Sequence, residues 1–135
     1  MLVHDHMTPR PITLRIDADY KSALKVMEQH AIHHLPVLDA ADKLVGIVAE
    51  RDLLFAALRY LGSSVDVERV MHRKVVTATP GMTVAAAASL MVTHAIGGLP
   101  VVDAGGNVVG VITETDVFKA FVRMHDAVPQ APARR

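Results

Sequence analysis

The stretch MTPRPITLRIDADYKSALKVMEQHAIHHLPVLDAADKLVGIVAERDLLFA, residues 7–56, is matched without a gap sixty-four positions later by MHRKVVTATPGMTVAAAASLMVTHAIGGLPVVDAGGNVVGVITETDVFKA, residues 71–120. Identical pairs hold the register throughout, among them Met7 with Met71, Met27 with Met91, His30 with His94, Pro36 with Pro100, Asp39 with Asp103, Gly46 with Gly110, Glu50 with Glu114 and Asp52 with Asp116. A unit of about 50 residues is too small to bury a good core alone. Two copies packed face to face into one pseudo-twofold α/β globule overcome that limit. A cleft repeated by the pseudosymmetry is then the first place to look for function.

Each copy opens with an extended piece, Pro11 to Leu14 and Val75 to Thr79, where Val, Ile and Thr favour strand and nearby prolines disfavour helix. A helix follows, with Asp19 or Thr83 at the N-cap and Leu24, Met27, Ala31 or Ala88, Met91, Ala95 at helical spacing. The second of these helices, Val84 to His94, is almost wholly alanine and apolar, which predicts that more of its circumference is buried. LPVL (Leu35–Leu38) with LVGIV (Leu44–Val48), and LPVV (Leu99–Val102) with VVGVI (Val108–Ile112), read as buried hairpins, the second turning on Gly105, Gly106 and Asn107. Each copy ends in a helix, near Arg51–Tyr60 and Glu114–Met124. In the first, Leu53, Leu54, Ala57, Leu58 and Leu61 fit one helical face, and Gly62, Ser63 and Ser64 form the linker. The expected division is a first repeat over 1–62, a second over 63–125 and a mobile tail over 126–135, whose AVPQAPARR lacks any periodicity.

Composition excludes several classes of function. Fourteen Lys plus Arg balance fourteen Asp plus Glu, so no net field draws in nucleic acid or an anionic membrane. The absence of cysteine excludes disulfides, thiol nucleophiles and cysteine-ligated zinc, and nothing suggests an oxidising compartment. The N-terminus lacks a signal-like apolar core, and no stretch approaches the ~18 apolar residues of a membrane helix, so a cytoplasmic location is expected. No Ser/His/Asp order, paired carboxylates or glycine-rich phosphate loop marks an enzyme. Of the eight histidines, His4 with His6 and His30 with His34 have chelating spacings, but His30 recurs as His94 at a helix C-terminus, where imidazole suits the dipole. No metal site and no required cofactor are expected.

The order β-α-β-β-α, twice, with LPVLD or LPVVD, an apolar hairpin and an ERD or TETD ending, resembles the tandem cystathionine β-synthase (CBS) domain, or Bateman module, over Met1 to Val122. The opening MLVHDHMTPRPITL is similar to the N-terminal part of acetoin-utilisation-type CBS proteins. The resemblance implies a non-catalytic regulatory module. It would bind an adenine nucleotide (AMP, ADP or ATP) or S-adenosylmethionine between its repeats and signal occupancy to a regulated partner protein. It also implies a homodimer built from paired helices, with Leu54, Leu58, Phe118 and Phe121 as the exposed apolar positions. The competing expectation is a dimerisation or interaction scaffold that binds nothing.

Thr113, Glu114, Thr115 and Asp116 stand where a strand gives way to a helix. Thr113 with Asp116 three residues on has the form of a capping box. The same place offers N–H donors and a partial positive charge to phosphate, and a carboxylate there can accept ribose hydroxyls. In the resembled family this threonine touches phosphate and this aspartate holds the ribose. The first repeat keeps Asp52 but has Ala49 in place of Thr113, so its site is expected to be weaker or empty, with Arg51 a partial substitute for phosphate binding. By the same resemblance the adenine slot of the Asp116 site draws on Pro11, Ile12, His33, His34 and Pro36, and that of the Asp52 site on Val75, Val76, Gly97, Gly98 and Pro100. Gly97 is read as a helix exit needing positive φ. His33 and His34 would make ligand binding depend on pH near neutrality.

Overall fold

The structure, a computed structural model, describes residues 1–126. In chain order the elements are α1 (Val3–His6), β1 (Thr8–Pro9), β2 (Leu14–Arg15), α2 (Tyr20–His30), β3 (His34–Leu38), β4 (Leu44–Ala49), α3 (Glu50–Tyr60), a 3₁₀ turn (Val67–Arg69), α4 (Val84–His94), β5 (Gly98–Val102), β6 (Val108–Thr113) and α5 (Glu114–Asp126). The expected mobile tail begins at residue 126, but Asp126 still belongs to α5; the remainder, 127–135, lies outside the described residues.

Two three-stranded sheets, β2-β3-β4 and β1-β6-β5, each back onto a separate apolar core. Asp19 caps α2 by accepting from Lys21 N, and Thr83 caps α4 by accepting from Ala86 N, so both helices start where their side chains satisfy free N–H groups. Both stop on an alanine in the left-handed region, Ala31 and Ala95. The hairpin turns are held by Asp39, which accepts from Ala41 N and Lys43 N, and Asp103, which accepts from Gly105 N and Asn107 N. Of the residues expected for the first opening strand, only the last pairs. Leu14 pairs in parallel with Val37, its counterpart Ala78 bridges Val101, and residues 11–13 and 75–77 before them are unpaired.

One expectation about burial fails. Helix α4 buries only Val84, Ala87 and Met91, the same number of positions as α2, and leaves Val92 82% exposed. Its outer face has nothing to cover it among the described residues, whatever its composition. In α3 the apolar stripe divides: Leu53 and Ala56 enter the core, while Leu54, Leu58 and Leu61 face out.

The repeats also exchange their opening arms. Residues of the first arm clasp the second repeat: Val3 is fully buried in the second core, Val3 N donates to Met82 O, Val84 N donates to Met1 O, and Thr8–Pro9 pairs with Val111–Gly110. The second arm does the same for the first repeat. Val65, Val67 and Met71 join the first core, Val67 N donates to Ala18 O, Tyr20 N donates to Val65 O, and His72 bridges Ile47. Gly46 and Gly110 make this exchange possible. A Cβ on Gly46 would lie 2.4 Å from Met71 Sδ, and one on Gly110 2.5 Å from Met7 Sδ and 2.9 Å from Thr8 O.

Candidate functional site

The exchanged arms roof two cavities where the sheets meet, one per repeat. The first, of about 560 Å³, is floored by the end of β6 and the start of α5. There Thr113 N and Thr113 Oγ1 both donate to Asp116 Oδ2, at 2.8 Å and 3.2 Å. Only the carboxylate half of the capping box read from the sequence is present, because the Thr113 hydroxyl donates to Asp116 instead of accepting a backbone N–H, and it uses one carboxylate oxygen. Oδ1 takes no hydrogen bond from the described residues and remains available to a diol.

Of the residues expected at this site, Pro11, Ile12, His33, His34, Thr113, Thr115 and Asp116 all line the cavity. Pro36 does not: it lies two residues further along β3 from His34 and is fully buried. Glu114 also faces the cavity, and its backbone N–H donates to Gly97 O, tying the start of α5 to the segment that leads into β5.

The second cavity, about 650 Å³, is built on the same frame around Asp52. Asp52 Oδ2 accepts from Ala49 N at 2.8 Å, but here Oδ1 is occupied as well, 3.0 Å from His72 Nε2 on the exchanged arm. The residue matching His72 in the first cavity is Thr8, whose side chain is shorter. Val76, Gly97 and Gly98 line this cavity as expected, and Arg51 joins them. Val75 and Pro100 do not. Lys74 and Val76 face in, so Val75, the residue between them on an extended backbone, faces away. Pro100 is buried within β5.

Gly97 has a different cause from the helix exit expected of it. Neither it nor Gly98 has positive φ; the helix exit before them is made by Ala95. Instead they leave room for their neighbours. A Cβ on Gly98 would stand 3.0 Å from His34 Cγ, and one on Gly97 2.9 Å from Glu114 Oε1 and 3.5 Å from His34 Cε1. His34 and Gly98 are matched positions that meet at the pseudo-twofold, where one imidazole fits and two would collide. Burial is the main influence on His34 and holds its imidazole below the usual pKa of 6.5. His33 pushes the same way, while Glu114 and Asp52 oppose. His33 itself lies 3.4 Å from Glu50 Oε2.

The sequence reading missed the basic groups. Arg10 and Lys119 line the first cavity, and Lys74 with His72 the second. A faint signal existed, since Arg10 and Lys74 are themselves a matched basic pair. Lys119 lies one helical turn after Thr115, but only the fold shows that this face of α5 turns inward. Among the described residues no group of three or more His, Asp or Glu gathers as metal ligands, and no helix is long and apolar enough to cross a membrane.

Two β-α-β-β-α repeats that clasp each other around a pair of acid-floored clefts define a tandem module of the Bateman kind. The CBS domain profile matches residues 3–59 and again 67–123, and the chain belongs to the CBS-domain family as a tandem pair. Among solved structures, the CBS domain pair of protein MJ0100 in complex with 5′-methylthioadenosine and S-adenosyl-L-methionine is 35% identical, with TM-score 0.84 over 92% of this chain and 98% of that one. A Vibrio cholerae protein assigned to acetoin utilization (AcuB) is 36% identical, with TM-score 0.85 over 94% and 96%. The Arabidopsis thaliana CBS-pair protein CBSX2 in complex with AMP is 28% identical, with TM-score 0.79 over 92% and 98%. Inosine-5′-monophosphate dehydrogenase of Nitrosopumilus maritimus is 40% identical over 111 residues, which are 82% of this chain and 22% of that enzyme. The chain thus spans less than a quarter of the first curated relatives it matches.

Proposed function

We propose that this chain is a non-catalytic sensor that binds an adenine nucleotide or other adenosyl ligand, chiefly in the cavity floored by Asp116, and passes its occupancy to a partner protein in the cytoplasm. The observation that carries this reading is the half-used Asp116 carboxylate. One oxygen caps α5, and the other is left for a cavity lined by Arg10, Pro11 and Ile12 of the arm and by Thr113, Thr115 and Lys119 at the start of α5. Ribose hydroxyls suit the free oxygen. The N–H groups opening α5, with Arg10 and Lys119, suit phosphate, and Ile12 suits the face of the purine. The AMP, 5′-methylthioadenosine and S-adenosylmethionine bound by related CBS pairs support the same ligand class.

The test is a thermal-shift series on nucleotide-free protein with AMP, ADP, ATP and S-adenosylmethionine. A ligand at about 100 times Kd adds ~2.7 kcal/mol by mass action, a melting shift on the order of ten degrees for a domain this size. A flat response to all four favours the second reading, a scaffold that binds nothing. That reading has its own support, because both aspartates already serve as helix caps.

We further propose that two copies pair through α3 and α5. Leu54, Phe55 and Leu58 on α3 and Phe118, Phe121 and Val122 on α5 form exposed stripes at i, i+3 or i+4 spacing, with Leu58 73% and Phe118 66% exposed. Light scattering that shows only monomer at micromolar concentration refutes this.

A further inference from the structure

We infer that His34 is a proton-accepting wall shared by the two cavities: an anionic ligand in either one draws a proton onto its imidazole and thereby favours an anion in the other. The inference rests on the ligand reading above and adds how the two sites are regulated together.

The geometry is that of a partition. His34 opens β3 and lines both cavities. Its ring is held against Gly98, the matched residue across the pseudo-twofold, at the close approach that only glycine allows. A symmetric duplication would put a separate side chain beside each cavity. Here one ring serves both, so whatever changes its charge is felt on both sides.

The groups facing His34 decide when that charge appears. His33 stands beside it, Glu114 reaches it from α5 and Asp52 from α3. Across the first cavity are Arg10, Lys119 and Asp116. Across the second are Arg51, Lys74, His72 and His94. Burial dominates and keeps the imidazole neutral at neutral pH, although two carboxylates pull the other way. A phosphate monoester brings about −1.5 to −2 charges, which favours the imidazolium. The charged ring has N–H donors on both nitrogens, where the neutral ring has one. The proton comes from solvent, and no bond other than N–H forms. A second anion then meets a ring already charged, and by linkage each ligand strengthens the other equally.

Calorimetric titration of the whole chain with AMP, in buffers of different ionisation enthalpy at pH 7.5, counts the protons taken up. AMP's own phosphate ionises near pH 6 by analogy with other phosphate monoesters, at about 6, so it contributes little at this pH. The wild type is expected to bind two AMP with net proton uptake, the second more tightly than the first cavity's occupancy alone would allow. Its affinity should fall by up to tenfold per pH unit, roughly the limit for one linked proton. In His34→Gln, which keeps the size and a donor, uptake and pH dependence should drop away and the two events become independent; His30→Gln, at an exposed imidazole that lines neither cavity, should retain them. If His34→Gln melts well below wild type, His34→Asn takes its place. Equal uptake in wild type and variant, or a single AMP per chain at saturation, overturns the inference and leaves nucleotide binding standing. No heat with AMP, ADP or ATP overturns both.

Discussion

The two cavities share a backbone frame and differ in what their aspartates are free to do. Asp116 spends one oxygen on capping α5 and keeps the other, whereas Asp52 spends one on capping α3 and the other on His72. The cause lies in the arms. Thr8 and His72 occupy equivalent places opposite β6 and β4, but only the imidazole is long enough to reach the carboxylate. A duplication therefore supplies two copies of a frame, and the exchanged arm determines which copy offers an open acceptor.

The largest effect expected from this difference is on affinity. Asp116→Ala removes the open acceptor and should weaken AMP binding by roughly 1.5 to 3 kcal/mol, the range for hydrogen bonds to charged groups, while Asp52→Ala should matter less. If both aspartates only cap helices, each change costs ~0.5 to 2 kcal/mol of stability and leaves affinity untouched. Calorimetry well below the melting temperature separates the outcomes, and a larger loss from Asp52→Ala would reverse the ranking of the cavities.

Next in size is the packing of the arms. Gly110→Ala forces a Cβ against Met7 Sδ and Thr8 O, and Gly46→Ala forces one against Met71 Sδ and His72 O. Overpacking of this kind costs about 1 to 3 kcal/mol, seen as a lower denaturant midpoint. The functional consequences should differ. Gly110→Ala disturbs the arm over the Asp116 cavity and should also weaken AMP binding; Gly46→Ala moves the arm that carries His72 and should not. Equal losses of affinity would mean that the cavities are not independent of their arms in the way described.

These contrasts show what was legible in the sequence. The bounds of α2 and α4 followed from Asp19 and Thr83, because a cap is a local device, and the hairpins followed from LPV, the apolar runs and the Asp39 and Asp103 turns. The expectation that Asp116 outranks Asp52 rested on Ala49 alone, and the structure adds a second difference in His72. The exchange of arms left no mark in the residue pattern itself; only the family resemblance set Pro11 and Ile12 beside Asp116 and Val76 beside Asp52. Met7 and Met71 are identical and face equivalent glycines, so the pattern is the same whether each arm covers its own repeat or the other. Everything that depends on the exchange was hidden with it: the His72 contact, and the arrival of Arg10 and Lys74 at the cavities. Gly97 was misread for a related reason. Its neighbour His34 is distant in sequence, and only the pseudo-twofold brings the two together.

A smaller effect sharpens the comparison from the other side. His72→Thr gives the second cavity the residue of the first and frees Asp52 Oδ1. Restoring an acceptor is worth about 0.5 to 1.5 kcal/mol, so the weaker AMP site should tighten several-fold with no change at the stronger one. An unchanged titration would show that Ala49, not His72, limits the second cavity.

The smallest effect concerns the ring between the cavities, read in stability without ligand. His34 has a folded-state pKa held below 6.5, chiefly by burial. As the medium acidifies through 6.5, the unfolded chain takes up this proton before the folded one does, so the unfolded state gains and the protein loses stability. The loss continues until the pH falls below the folded value, where both states are charged; above 6.5 neither is, and the contribution is flat. Denaturant midpoints should therefore decline from pH 7 to 5.5 more steeply in wild type than in His34→Gln. His33→Gln should restore part of the loss, because His33 is the second cause of the depression. Parallel declines in wild type and His34→Gln would mean that the ring is not desolvated at the partition, and that the cavities meet across solvent.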